Sequence, residues 1–305
     1  MPDAAQALAA QPPELWKRTF VGRQGIRAGW RLLIYFGAIG AILAWNWFLL
    51  RRLEAPLSRI PSPWDSMFGM GFVVAVQIIA ALLMGRIERR SLADYGLPFR
   101  LIFRKQFWTG ALWGAVMTSL VFAIVWAAHG YTPGSLVLSP REIAKYGLLW
   151  AVTTLVWAFF EEFSFRGYLQ FTLTSGMGFW PAAVLTCLLY TVVEVQKHYI
   201  GVVRIVAQGI FLCLALRRTG NLWFGIGWGT AAMWCTDFVY AHQESSPYAT
   251  GYLLHASVRN WSWLNVLCGV VTAASCLLLA QVYPDKKYPG QPAPDVDPDA
   301  EMLSS

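Results

Sequence analysis

Charge is scarce in this chain. Only 13% of its 305 residues are Asp, Glu, Lys or Arg, where a soluble domain carries about 25%. The hydrophobic share is 56% and the mean hydropathy is +0.45, so the class is integral membrane protein rather than soluble domain. Cysteine is also sparse. Cys187, Cys213, Cys235, Cys268 and Cys276 all lie inside apolar runs, which argues against a disulfide framework and against a cysteine-based metal site. The opening stretch MPDAAQALAAQPPELWKRTF lacks a short apolar run ahead of a cleavage site, so no signal peptide is expected. No internal repeat is found. The net charge of +7 fits basic loops on one side of a membrane, and no nucleic-acid partner is expected. Partners are expected among membrane lipids and a peptide or membrane protein, as substrate or binding partner.

What is abundant supports this reading. There are 16 Trp, a residue that prefers lipid–water boundaries. A spanning helix needs about 20 mostly apolar residues. Eight candidates occur, at roughly 32–50, 66–85, 107–128, 146–165, 179–196, 201–216, 222–240 and 263–283. The expected fold is all-α, a polytopic membrane helix bundle of about eight transmembrane helices around an intramembrane polar cavity. Four regions are expected: an N-terminal segment 1–31, N-terminal membrane helices with a basic loop over 32–106, a core over 107–283, and a disordered Pro- and Asp-rich tail over 284–305. Lys and Arg cluster at the two ends of the chain and in the loop carrying Arg86, Arg89, Arg90, Arg100, Arg104 and Lys105. By the positive-inside rule, both termini are expected on the cytoplasmic side.

Four acids fall inside the expected spans: Glu161, Glu162, Glu194 and Asp237. A carboxylate at the bilayer centre costs about 2.5–3.5 kcal/mol on insertion scales. All four lie in the central spans, which suggests one polar chamber. Glu162 and Arg166 are four residues apart and share a helix face, as do Glu194 and His198 if the helix extends that far. Carboxylates and an imidazole together can bind a divalent metal, and a carboxylate beside a metal can activate water for hydrolysis. Blander roles stand beside these. Glu162–Arg166 can be a plain ion pair, His198 a solvated loop residue, and Asp237 a helix-end anchor. Glu161 and Glu162 project about 100° apart on a helix, so one arginine does not obviously satisfy both.

The stretch EEFSFRGYL, from Glu161, resembles the EExxxR signature of the CPBP family, the CAAX proteases and bacteriocin-processing enzymes, which are intramembrane metalloproteases. ADYGLP at 93–98, LALRRTGNLWFGIGW at 214–228 and GYLLHAS at 251–257 resemble further elements of the family. The resemblance covers roughly residues 90–283. It implies that Glu161 or Glu162 activates the catalytic water, that Arg166 holds the site together, and that zinc is the cofactor. The family places a histidine on each of two later helices. Here YTVVE puts Glu194 at the first position, and IGWG puts Gly229 at the second, with Met233 where an Asn or Asp is usual. Glu194 can still supply a metal ligand, whereas Gly229 cannot. His198 and Asp237, each one turn further on, are candidates for a rearranged set, which requires Glu161, Glu194, His198 and Asp237 to converge. The resemblance thus implies a metalloendopeptidase of membrane-associated peptides, or a catalytically inactive relative serving as a membrane binding or scaffold protein. A proton-coupled transporter is the reading from another class, and the lack of an inverted repeat weighs against it. Family distribution implies a bacterial inner membrane.

Overall fold

A computed structural model describes residues 21–22, 25–52, 63–132, 138–195, 201–240, 257–258 and 261–284. His198, most of GYLLHAS and the C-terminal tail lie outside these described residues. The architecture is a helical membrane bundle. Its helices are α1 (Ala28–Arg52), α2 (Pro63–Glu88), α3 (Lys105–Ala127), α4 (Pro140–Glu162), α5 (Gln170–Met177), α6 (Phe179–Val195), α7 (Val202–Thr219), α8 (Trp223–Trp234) and α9 (Trp261–Val282). Two π-helical segments interrupt the pattern, Phe163–Leu169 between α4 and α5 and Cys235–Tyr240 after α8. Two-residue strands pair Val21–Gly22 with Gly25–Ile26 and Tyr131–Thr132 with Ser257–Val258.

Each of the eight apolar stretches falls on helix. Among the described residues, however, five helices are long and apolar enough to cross a membrane: Ala28–Asn46, Trp64–Glu88, Lys105–Ala127, Pro140–Met177 and Trp263–Val282. The other three differ for identifiable reasons. Helix α6 is apolar but short. Helix α7 carries Arg204, Arg217 and Arg218. Helix α8 holds only 12 α-helical residues before its π segment. The fourth stretch runs longer than 146–165, because the helical path continues through the π segment to Met177 and bends at Gly167, whose ψ of −110° is not helical. Helix α4 starts on a capping box. The Ser139 side chain accepts from the Glu142 backbone N–H, and the Glu142 carboxylate accepts from Ser139, an arrangement worth about 0.5–2 kcal/mol. Glycine stops α5 and α7, at Gly178 (φ +82°) and Gly220 (φ +79°), where the positive φ excludes most side chains.

Two contacts position the core. Helix α3 lies against α8 with almost nothing between the backbones. A Cβ at Gly110, Gly114 or Gly227 would collide with the Phe224, Trp228 or Phe107 carbonyl oxygen respectively. This is the close approach that small residues permit in membranes. The segment ADYGLP packs onto the start of α8: the Leu222 N–H donates to the Gly96 carbonyl at 2.8 Å and Trp223 Nε1 donates to the Pro98 carbonyl at 3.0 Å. Two of the motif-like stretches, far apart in sequence, therefore meet. Beside them, Glu88 at the end of α2 joins three elements. Arg31 from α1 donates to it at 2.8 Å, Tyr168 from the π segment donates to it at 2.6 Å, and Arg31 also donates to Ser175 of α5 at 2.6 Å. Burial and the Glu88 charge hold the nearby Tyr95 phenol well above its ordinary range.

Candidate functional site

The two glutamates of the EEFSFRG stretch stand in different surroundings. Glu162 is only 3% exposed and Arg166 is fully buried. Arg166 donates to the Glu162 carboxylate at 3.1 Å, and its guanidinium lies 4.6 Å from the centroid of the Tyr190 ring on α6. A side chain at Gly225 of α8 would collide with the Glu162 carboxylate, so this glycine lets α8 close over the ion pair. Glu161 instead faces a cavity of about 680 Å³. The 100° offset between neighbouring helix positions separates the two roles. The π segment begins immediately after Glu162 and contains Arg166, and π segments recur at functional sites. Its packing is fixed from α2, where Gln77 donates to Ser164 at 2.6 Å.

The cavity gathers most of the candidate residues. Its wall includes Glu161 from α4, Tyr190 and Glu194 from α6, Gly229 and Met233 from α8, and Asp237 from the second π segment. The two positions where the family carries histidines thus open onto the same space as Glu161. Glu162 and Arg166 do not line it. His198 lies outside the described residues. Helices α7 and α9 add Arg204, Gln208, Asn265 and Thr272, which the pattern of acids gave no reason to select. Their signal in the sequence is Arg204 itself, a cation within an apolar run.

Among the described residues, the donor set does not fit a metal ion. Gly229 supplies no ligand atom, and any Cβ there would press on Ala158 Cβ at 3.1 Å. Among the described residues, no three His, Cys, Asp or Glu side chains come together as a metal-holding group. Glu161, Glu194 and Asp237 share a cavity without sharing a coordination point. No step through a metal follows from this arrangement.

Residues 143–232 match the family described as type II CAAX prenyl endopeptidase Rce1-like. That stretch, 90 of the 305 residues, is similar to the CAAX-protease-like family. The match contains Glu161, Glu162, Arg166, Glu194 and Gly229 and ends before Met233 and Asp237. No curated protein and no solved structure matches the chain. The five long apolar helices among the described residues, together with this similarity, support an integral membrane protein.

Proposed function

We propose that this protein is a non-hydrolytic CAAX-protease-like membrane protein whose cavity binds a membrane-associated ligand. The observation that carries this reading is the lining of the cavity at the two histidine positions, Glu194 and Gly229. One has become a carboxylate and the other has no side chain, while the ion pair that supports the fold around them is kept. The polar chamber is thereby retained and its metal-binding chemistry is lost. A second reading, the endopeptidase, is favoured by one observation: Glu161 faces the cavity, as a water-activating carboxylate must. Peptide cleavage separates the two. Purified protein is incubated with prenylated and unprenylated membrane-associated peptides, with and without added zinc, and products are read by mass spectrometry. No cleavage is the result expected. Cleavage that Glu161→Gln abolishes would establish the endopeptidase. The membrane is proposed to be a bacterial inner membrane with both termini cytoplasmic. The run of basic residues in the loop from Arg86 to Lys105 supports that orientation.

A further inference from the structure

One cavity residue has an electrostatic problem that its surroundings do not solve. Arg204 sits in the first turn of α7, where the helix dipole disfavours a cation, and it sits within an apolar run, where an arginine is expensive. It is half-buried and lines the cavity. Its guanidinium is held by neutral groups, donating from Nε to Asn265 Oδ1 at 3.0 Å and from NH1 to Gln208 Oε1 at 3.3 Å. These bonds orient the group without neutralising it, and among the described residues no carboxylate pairs with it. An arginine normally finds an anion when it is taken out of water, because its planar fork matches carboxylate and phosphate oxygens.

The cavity is also asymmetric. Arg204 and Gln208 of α7, with Asn265 and Thr272 of α9, form a polar wall that includes the guanidinium. The acids come from α4, α6 and the π segment after α8. Apolar side chains complete the lining, among them Met117, Val121, Phe122, Leu264 and Val271. A volume of about 680 Å³ is in the range of a small-ligand site. A group bound here must therefore bring an anion to the α7–α9 wall and apolar bulk to the rest. The cation of the lining is on the α7–α9 side and the acids are on other elements, so an anionic group is best placed at that wall.

We infer that Arg204 anchors the head group of a single-chain anionic amphipath, a lipid whose carboxylate or phosphate monoester takes the free face of the guanidinium while its chain lies along the apolar lining. This rests on the reading of the cavity as a binding chamber.

The test is equilibrium binding of radiolabelled oleate to the full-length, detergent-solubilised protein, with unlabelled competitors. The expected result is saturable binding that oleyl alcohol displaces at least about tenfold less effectively than oleate, the effect of one charge-assisted contact. Arg204→Gln is expected to weaken oleate binding about tenfold, and Arg204→Lys to restore part of it. Lysophosphatidate with the same chain separates the two sources of anion: stronger competition than oleate assigns a phosphate head, and weaker competition a carboxylate. Equal competition by oleyl alcohol overturns the role of Arg204 and leaves the binding chamber standing. Displacement by a peptide with a free C-terminal carboxylate but not by unlabelled lipid overturns the lipid assignment. Metal-dependent peptide cleavage would instead overturn the chamber reading itself. The wild-type competition needs no variant, so a misfolded Arg204→Gln does not shield the inference.

Discussion

Replacing Glu162 by leucine isolates the claim that the two adjacent glutamates have separate jobs. Glu162 is the oxygen partner of a guanidinium that is fully buried, and among the described residues Arg166 Nε and NH2 have no hydrogen-bond partner of their own. Taking the carboxylate away leaves an uncompensated buried charge, which costs about 3–5 kcal/mol. The Tyr190 ring offsets little of this, since a cation–π contact is worth about 0.5–2 kcal/mol and is already present. The double variant Glu162→Leu/Arg166→Met removes both charges and is expected to regain most of the loss, because a buried pair replaced by apolar side chains is often neutral. Glu161→Gln, half-buried on the cavity wall, is expected to cost less than about 1 kcal/mol. Unfolding in mixed detergent–SDS micelles, followed by far-UV circular dichroism, ranks the four proteins. If Glu162→Leu unfolds with wild type, or if the double variant is no better than the single, the ion pair is not what holds this corner together.

Other outcomes follow from the same geometry. Gly227→Ala forces a methyl group onto the Phe107 carbonyl of α3, and such overpacking is expected to destabilise by about 1–3 kcal/mol, measured by the same unfolding assay; Gly29→Ala, which meets open space, is its control. The sulfurs of Cys187 on α6 and Cys213 on α7 lie 3.7 Å apart, so copper-phenanthroline oxidation is expected to link these two helices. Peptide mapping would detect the link, and Cys213→Ser would prevent it. Introducing imidazoles with Glu194→His and Gly229→His, together with Ala158→Gly to clear the contact at 3.1 Å, is expected to raise zinc binding above that of the natural sequence. Failure of this variant to take up zinc would mean that two added imidazoles are not enough to build a metal site in this cavity.

Much of the fold was legible because hydropathy is a strong signal when a helix must cross about 30 Å of hydrocarbon. Every apolar stretch from 32–50 to 263–283 is helical. The run through the EEFSFRG motif was harder to delimit. Its helical path goes on to Met177 through a π segment, whose altered hydrogen-bond register leaves no mark on an apolar pattern. The split between Glu161 and Glu162 was readable from the 100° step alone. Glu88 escaped notice because it sits at the edge of its span, where a charge needs no explanation; only the fold shows Arg31 and Tyr168 converging on it. Arg204 was visible as a cation in an apolar run, yet its amide partners come from α7 and from α9, 61 residues away in the case of Asn265. Asp237 was singled out as an intramembrane acid, and it lines the cavity. Of the four expected metal ligands, Glu161, Glu194 and Asp237 line one cavity, and His198 lies outside the described residues.

The most direct test of the account is the metal content of the purified, detergent-solubilised protein after incubation with zinc, set beside Glu161→Ala and Glu194→Ala. The account predicts far less than one zinc per chain in all three. One zinc per wild-type chain, lost in both variants, would contradict it and would show that a hydrolytic metal centre has been rebuilt around carboxylates.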